Sequence, residues 1–505
     1  MSFNSFSFIL IYLPIVLFLW HGLNHLKKWK LADITLIAAS LVLYGLFSYT
    51  FVLILLSSCF INFLLSKYIK RKHILFFGVF LNLLLLGYFK YTNFFISNIS
   101  ALLGKSFCEL QIIMPVGISF FVFSQIAFLI DTHNECNGNI KEEEKLSSVS
   151  LTEYLLYITY FPKIVQGPIA LPYEIISKFR NKNNRILNSI YFRKGIELFV
   201  IGLSKKVLLG DNLAKIADYG FKYTYYMDTL TGALVLVSYA LQLYFDFSGY
   251  CDMAEGVSLM FGIELPINFN SPYKATSIRN LWQRWHMTLT RFFVRYVYIP
   301  LGGSHKGGIR TAINVIIIFI LSGFWHGAGW TYICWGLIMG IMVVFDNLGI
   351  MATSGDLKKH YLLRDKPLFV IPVLAGRFLT FCMFLLSLIF FRSQNLTYAI
   401  QFIKQLGIFT WPGFMYKTAA NLDISENYLL ITATNLFAKN MINVVYVVSW
   451  LVLLFISFIV ICSKNAHEIV EKGNPSRKFT LLLIILFTWS FISLSQVSTF
   501  IYFQF

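Results

Sequence analysis

Apolar residues run along this chain in long blocks, with polar residues gathered between them. Such blocks fall near 5–22, 32–48, 50–66, 74–90, 110–131, 195–210, 229–247, 311–326, 330–346, 369–391, 443–463 and 479–497. A helix needs roughly 17–25 predominantly apolar residues to cross a bilayer, and several blocks are short or touch, so the pattern predicts about ten to twelve spans. A hydrophilic insert near 132–152, with Glu142, Glu143 and Glu144, reads as a surface loop, and a polar stretch near 416–440 separates the last spans. The region 160–194 is basic and broken by Pro162, Gly167 and Pro168. Its apolar part is too short to cross, and irregular backbone at membrane depth must be buried in protein or wetted, so a re-entrant segment is expected. No internal repeat is visible, so the inverted-repeat signature of many transporters is missing.

Composition removes the soluble alternative. Of 505 residues, 57% are hydrophobic and 13% charged, where a soluble domain carries about 25% charged residues. The formal charge of +18 is read as Lys- and Arg-rich cytoplasmic loops and an anionic substrate, with no nucleic-acid partner. Seven cysteines without a CxxC pair argue against structural zinc and a disulfide framework, and no metal site is predicted. The first apolar block lacks a basic leader and a small-residue cleavage site, so it reads as a retained span.

Loop charges set the expected orientation. Lys27, Lys28 and Lys30 follow the first span, and Lys67, Lys70, Arg71 and Lys72 the third, while the turn at Ser48 to Phe51 is uncharged. Both basic clusters therefore belong in the cytoplasm and the N-terminus outside. Lys464, Lys472, Arg477 and Lys478 precede the last span, which then runs outward and delivers the ending F-I-Y-F-Q-F to the outer side. Tyr502 carries the one hydroxyl of that ending. It is either part of an interfacial aromatic belt or an extracytoplasmic nucleophile.

The central third is too polar for a plain span and too aromatic for a free loop: YFDFSGYCDMAEGVSLMFGIELPINFNSPYKATSIRNLWQRWHMTLTRFFVRYVYIPLGGS, Tyr244 to Ser304. Read as one helix, Leu281 to Tyr298 places Trp282, Trp285, His286, Leu289 and Phe293 on one face and Arg284, Thr288, Arg291 and Arg295 on the other. The arginines would meet head groups or a phosphate-bearing ligand; the histidine would sit among aromatics. A second histidine, His326, ends the apolar run AINVIIIFILSGFW between Gly323, Gly327 and Gly329. An ionisable group at membrane depth is a functional candidate, and the glycines permit close backbone approach or a helix break. A histidine that only satisfies a buried hydrogen bond is the competing reading. Haem ligation has no cofactor motif behind it.

Together these stretches resemble the membrane-bound O-acyltransferase (MBOAT) family, in its alginate O-acetyltransferase-like branch. The resemblance runs from about Leu41 to Trp335 and rests on LNLLLLGYFKYTNFF (81–95), MPVGISFFVFSQIAFLID (114–131), YFPKIVQGPI (160–169), GLSKKVLLGDNLA (202–214), YFDFSGYCDMA (244–254), RWHMTLT, YIPLGGS (298–304) and FWHGAGW. It implies an all-α polytopic fold: one integral domain over 1–505, helices ringing a thin core with re-entrant or interfacial pieces, and a tunnel through the membrane. The motif-bearing core would span about 110–346, with C-terminal helices over 369–497 and the tail at 500–505.

The resemblance also implies roles. His326 matches the family's nearly invariant histidine and His286 the second active-site histidine; Asp246, Ser248, Tyr250, Gln166 and Trp325 fall on tunnel and core segments. Arg284, Arg291 and Arg295 are candidates for the donor's phosphates. The implied donor is acetyl-CoA, used as a substrate with no bound cofactor, at the bacterial cytoplasmic membrane. Acetyl would pass to an outer hydroxyl, a periplasmic SGNH-type transferase and a cell-envelope polysaccharide such as alginate or peptidoglycan. In the related D-alanine transfer system a small partner ends in a similar F-x-Y-x-x-F, which makes Tyr502 a possible acyl carrier. D-alanyl transfer to teichoic acid, and a polysaccharide export component without chemistry, are the alternatives. The second would need coupling-ion carboxylates inside spans, for which Glu197 is the one case near a span.

Overall fold

Among the described residues of the computed structural model, eight helices are long and apolar enough to cross a membrane: Phe8–His25, Tyr49–Ser66, Lys72–Leu102, Thr229–Met260, Gly308–His326, Trp330–Asn347, Val373–Arg392 and Ile442–Cys462. The structure describes residues 2–357, 361–362, 364–437, 441–471 and 475–496. Four further expected spans are helical too. Trp29–Gly45 and Arg477–Ile492 are shorter, at 17 and 16 residues, while Ile118–Cys136 and Ser189–Ser204 carry more polar residues. The chain is therefore an all-α, multi-pass membrane protein, apart from a parallel strand pair, Met351–Thr353 with Phe369–Ile371. Two expected boundaries move. Residues 111–115 have no helical structure, so that span begins at Ile118, and 369–371 pair as a strand before the helix Val373–Arg392.

The 32-residue helix Thr229–Met260 is the axis of the fold, buried along most of its length. Lipid tails are as apolar as leucine, so membrane helices associate through small residues that let backbones close in. Here the closure is reciprocal. A Cβ on Gly195 would lie 2.6 Å from the Gly256 carbonyl oxygen, and one on Gly202 2.6 Å from that of Gly249. The 189–204 helix therefore runs antiparallel to the axis in backbone contact. At Met260 the axis meets the first span, where Trp20 Nε1 donates to the Phe261 carbonyl at 3.1 Å and His21 Nε2 lies 2.9 Å from the Met260 carbonyl.

The region expected to be re-entrant is buried without crossing. Every residue from Tyr160 to Pro172 is buried, and only Phe161–Ile164 forms a helical turn. Its polar groups find partners inside protein, as membrane burial requires: Phe161 N–H donates to Ser40 Oγ at 3.2 Å, and the Tyr160 hydroxyl meets Ser258 Oγ at 2.9 Å. Gly117, at φ +72°, caps the start of the helix Ile118–Cys136, where a Cβ would strike the Ile164 carbonyl oxygen at 2.4 Å. The insert after Cys136 is a loop with one 3-10 turn at Glu142–Glu144, and the helix Leu151–Thr159 begins inside its expected end.

The segment expected as one helix from Leu281 to Tyr298 is broken. Ile278–Trp282 ends, the chain turns, His286 takes φ +45°, and Met287–Phe293 begins a new helix. The candidate tail with Tyr502 lies outside the described residues, as does Lys472.

Candidate active site

His326 is the last residue of the helix Gly308–His326, and Trp330–Asn347 folds straight back against it. The pair closes on glycine: a Cβ on Gly323 would lie 2.2 Å from the Tyr332 carbonyl oxygen, and one on Gly336 2.3 Å from that of Phe319. A helix end leaves carbonyls without intrahelical donors, and two side chains from the 72–102 span satisfy them. Lys90 Nζ donates to the Trp325 carbonyl and, at 3.3 Å, to that of His326; the Tyr91 hydroxyl donates to Phe324 at 3.0 Å. A cation there also suits the negative end of the helix dipole. The His326 ring is buried among Trp325, Trp335 and Phe391, with centroids 4.8, 5.4 and 5.2 Å away.

His286 reaches the same place from another element. Its ring is buried, edge-on to Phe247 of the axial helix at 4.8 Å and to Trp325 at 6.0 Å. Trp325 thus touches both imidazoles, and the histidines share one aromatic compartment. The left-handed backbone at His286, sparsely populated for a side chain with a Cβ, is held by Asn268. The Asn268 carbonyl accepts from Met287 N–H at 2.9 Å, while its Oδ1 lies 3.2 Å from His286 Nδ1. Thr288 N–H and hydroxyl donate to the same Oδ1 at 3.2 and 2.9 Å.

The other expected residues are distributed around this pair. Asp246 pairs with Lys206, which also pairs with Asp211 at 2.6 Å in a buried cluster. Ser248 is buried on the axial helix, and Tyr250, two residues further on, stacks on Phe3 at 5.1 Å. Gln166 is buried in the non-crossing segment. The arginines do not form an open cationic face. Arg291 is bound by Glu174 at 2.8 Å; Arg295 is bound by Asp131 at 3.1 Å and by Glu144 at 2.7 Å. The hydrogen bond from Arg295 holds Glu144 below the usual carboxylate range. Arg284 is partly exposed and bonds Asn280 Oδ1 at 3.1 Å and the Asn270 carbonyl at 3.2 Å. Glu197 is paired with Arg193 at 2.9 Å.

Two clefts of about 480 Å³ open elsewhere. One lies at the Met260 end of the axial helix, between Lys178, Lys194, Glu255, Glu264 and His467. Burial works against a charge on His467, but the Glu255 carboxylate 3.0 Å away outweighs it, and the imidazole pKa rises to about 9. The other is mainly apolar, between the 189–204, 442–462 and 477–492 helices. Neither is lined by His286 or His326.

A family description, membrane-bound O-acyltransferase, matches residues 36–354. The chain belongs to the MBOAT family. It is 34% identical to a peptidoglycan O-acetyltransferase of Helicobacter pylori over 100% of this chain and 97% of the relative. A probable alginate O-acetylase of Azotobacter vinelandii is 32% identical over 69% of each chain. A teichoic acid D-alanyltransferase of Bacillus subtilis is 28% identical over 47% of this chain and 60% of its own.

As an MBOAT protein it is an O-acyltransferase, which removes the export component without chemistry. Sequence reasoning about this MBOAT chain missed Lys90, Asn268, Lys206 and Asp211. Lys90 and Lys206 lay inside quoted motifs, and a lysine deep in an apolar run was the available signal. Asn268, in the stretch NFN, carried none that spacing could reveal.

Proposed function

We propose that this protein moves acetyl groups from cytoplasmic acetyl-CoA to an extracytoplasmic hydroxyl, for O-acetylation of a cell-wall polysaccharide of the peptidoglycan class. One observation carries the choice of polymer. The peptidoglycan O-acetyltransferase matches over the whole chain, whereas the alginate O-acetylases match over 69–81% of it. The reading places the protein in the bacterial cytoplasmic membrane, with no bound cofactor and with a periplasmic SGNH-type transferase as partner. D-alanyl transfer is the weaker alternative, since the D-alanyltransferases match over 47–55% of the chain at 27–28% identity.

In the proposed reaction the hydroxyl oxygen attacks the thioester carbonyl carbon. A C–O bond forms, the hydroxyl proton passes to the imidazole of His326, the C–S bond breaks, and the thiolate recovers the proton as CoA leaves. An imidazole with a reference pKa near 6.5 is mostly neutral at pH 7 and fit for this task. His286 either polarises the thioester carbonyl or assists the base. The remaining acceleration comes from alignment of both reactants in a dry compartment.

The two sides of the site support this direction. Arg284 and the cleft at His467 lie toward the end of the molecule where Asn465 Nδ2 bonds Asn270 Oδ1 at 3.0 Å, next to Lys464, which the loop charges assign to the cytoplasm. Of the three arginines, Arg284 has no carboxylate partner among the described residues and is the one suited to a donor phosphate. His326 ends its helix four residues before Trp330, whose Nε1 donates to Asn98 Oδ1 at 2.9 Å.

The acyl carrier in this reading is Tyr502, in the tail beyond the last described helix. Phe491 packs on Phe6 at 4.9 Å, and Leu494 is buried in the hydrophobic cluster that includes Trp325 and Tyr250. A phenol pKa near 10 keeps a tyrosyl acetate an activated ester. Tyr502→Phe is expected to stop acetylation of the outer polymer while acetyl-CoA binding, measured by calorimetry, is retained. Normal polymer acetylation in that variant would end the relay and leave the acyltransferase standing. The polymer is tested by its acetyl content in cells lacking this protein: peptidoglycan must lose O-acetyl, and unchanged peptidoglycan would reject it.

A further inference from the structure

We propose that Asn268 is a positioning residue that locks His286 as the Nδ1–H tautomer, leaving Nε2 as a buried proton acceptor. The geometry decides the tautomer. Asn268 Oδ1 receives the Thr288 backbone N–H at 3.2 Å, and a backbone N–H can only donate. The atom there is therefore the amide oxygen and not the nitrogen. The Thr288 hydroxyl points the same way: it accepts from Ile169 N–H at 3.0 Å and so donates to Oδ1 at 2.9 Å. Asn268 Nδ2 faces Cys251 Sγ at 3.2 Å, which completes the amide's orientation.

An oxygen that accepts from Thr288 also accepts from His286, so Nδ1 must carry the proton. In a neutral imidazole the other nitrogen then holds the lone pair. That nitrogen, Nε2, is buried and has no hydrogen-bond partner among the described residues. Asn268 is itself fully buried and bonded to the backbone just after His286, through Met287 and Thr288. It fixes the ring and the left-handed backbone together.

The consequence rests on the acyl-transfer reading. A neutral His286 of this tautomer has no donor at Nε2, so it cannot hydrogen-bond a thioester carbonyl from there. It acts on the base side, as a hydrogen-bond acceptor at Nε2 while the hydroxyl proton passes to His326. Of its two candidate roles, assistance to the base is the one this tautomer permits.

The test uses full-length protein in lipid bilayers, isotopically labelled only at histidine, with carbon–nitrogen correlation spectra to read each tautomer. His286→Gln identifies the His286 resonance by its loss. The wild-type signal is expected in the Nδ1–H form. Asn268→Asp, whose carboxylate still accepts from Nδ1, should keep that form and part of the turnover. Asn268→Leu should move the signal to the Nε2–H form or a mixture and slow acetyl transfer about 10²-fold or more, with the KM for acetyl-CoA unchanged. An Nε2–H signal in the wild type would overturn the proposal, as would a folded Asn268→Leu protein that keeps the Nδ1–H form. If Asn268→Leu does not fold, the wild-type spectrum decides alone. An Nδ1–H signal in a protein without acetyl transfer would uphold the tautomer and reject the acyl-transfer reading.

Discussion

His326→Ala is expected to insert, fold and lose acetyl transfer by about 10²–10⁴-fold, the usual worth of a positioned acid–base group. Folding should survive because the end of the 308–326 helix is held by contacts that do not use the imidazole. Lys90 and Tyr91 satisfy its last carbonyls, and Gly323 and Gly336 close the hairpin. The lost ring leaves a gap among Trp325, Trp335 and Phe391, and truncating a buried ring costs about 3–5 kcal/mol in soluble cores. His326→Gln is the companion variant, since it refills most of that volume and still lacks the base. Release of CoA thiol from acetyl-CoA, at matched amounts of monodisperse protein, is the measurement. Both variants should be slow. A wild-type rate in either one refutes the role given to His326.

Lys206→Met is expected to produce a large loss of stability. The lysine side chain is fully buried between the carboxylates of Asp211 and Asp246, which are themselves buried. Removing one partner of a buried pair costs about 3–5 kcal/mol, because it leaves uncompensated charge behind. Here one cation serves two anions, so both lose it. Activity should fall with stability: Asp246 directly precedes Phe247, the ring that packs edge-on to His286. Thermal unfolding in detergent should show a markedly lower midpoint for Lys206→Met, and addition of Asp211→Asn with Asp246→Asn should recover most of it. A single variant as stable as wild type would mean that the cluster contributes nothing to the fold.

What was legible in the sequence follows from how membrane proteins are built. Spans are read from composition, so the apolar blocks located most of the helices to within a few residues. The polar insert and the non-crossing segment were equally plain, since charge and proline cannot hide in lipid. His326 stood out because an ionisable group at the end of a long apolar run is costly to keep there unless it serves a function.

The break at His286 was not legible. The spacing of Trp282, Trp285, Leu289 and Phe293 continues a helical period straight through it, and periodicity reports only local preference. The left-handed turn comes from Asn268, 18 residues upstream in sequence, by tertiary hydrogen bonding. The arginines misled for the same reason. Their carboxylate partners lie far away in sequence, with Glu174 117 residues before Arg291 and Asp131 164 before Arg295. A charged helical face with distant partners reads as an open one. Lys90 was hidden by its surroundings, because the carbonyls it satisfies belong to a helix 235 residues away.

The central claim is that acetyl crosses the membrane through the compartment of His286 and His326 while CoA stays on one side. Proteoliposomes of purified protein, with acetyl-labelled acetyl-CoA supplied on one face and a hydroxyl acceptor on the other, test it most directly. Labelled acceptor is expected only when the donor is on the cytoplasmic face, with CoA thiol released on that face and no signal with His326→Ala. Labelling that requires donor and acceptor on the same face, or that persists in His326→Ala, would contradict it.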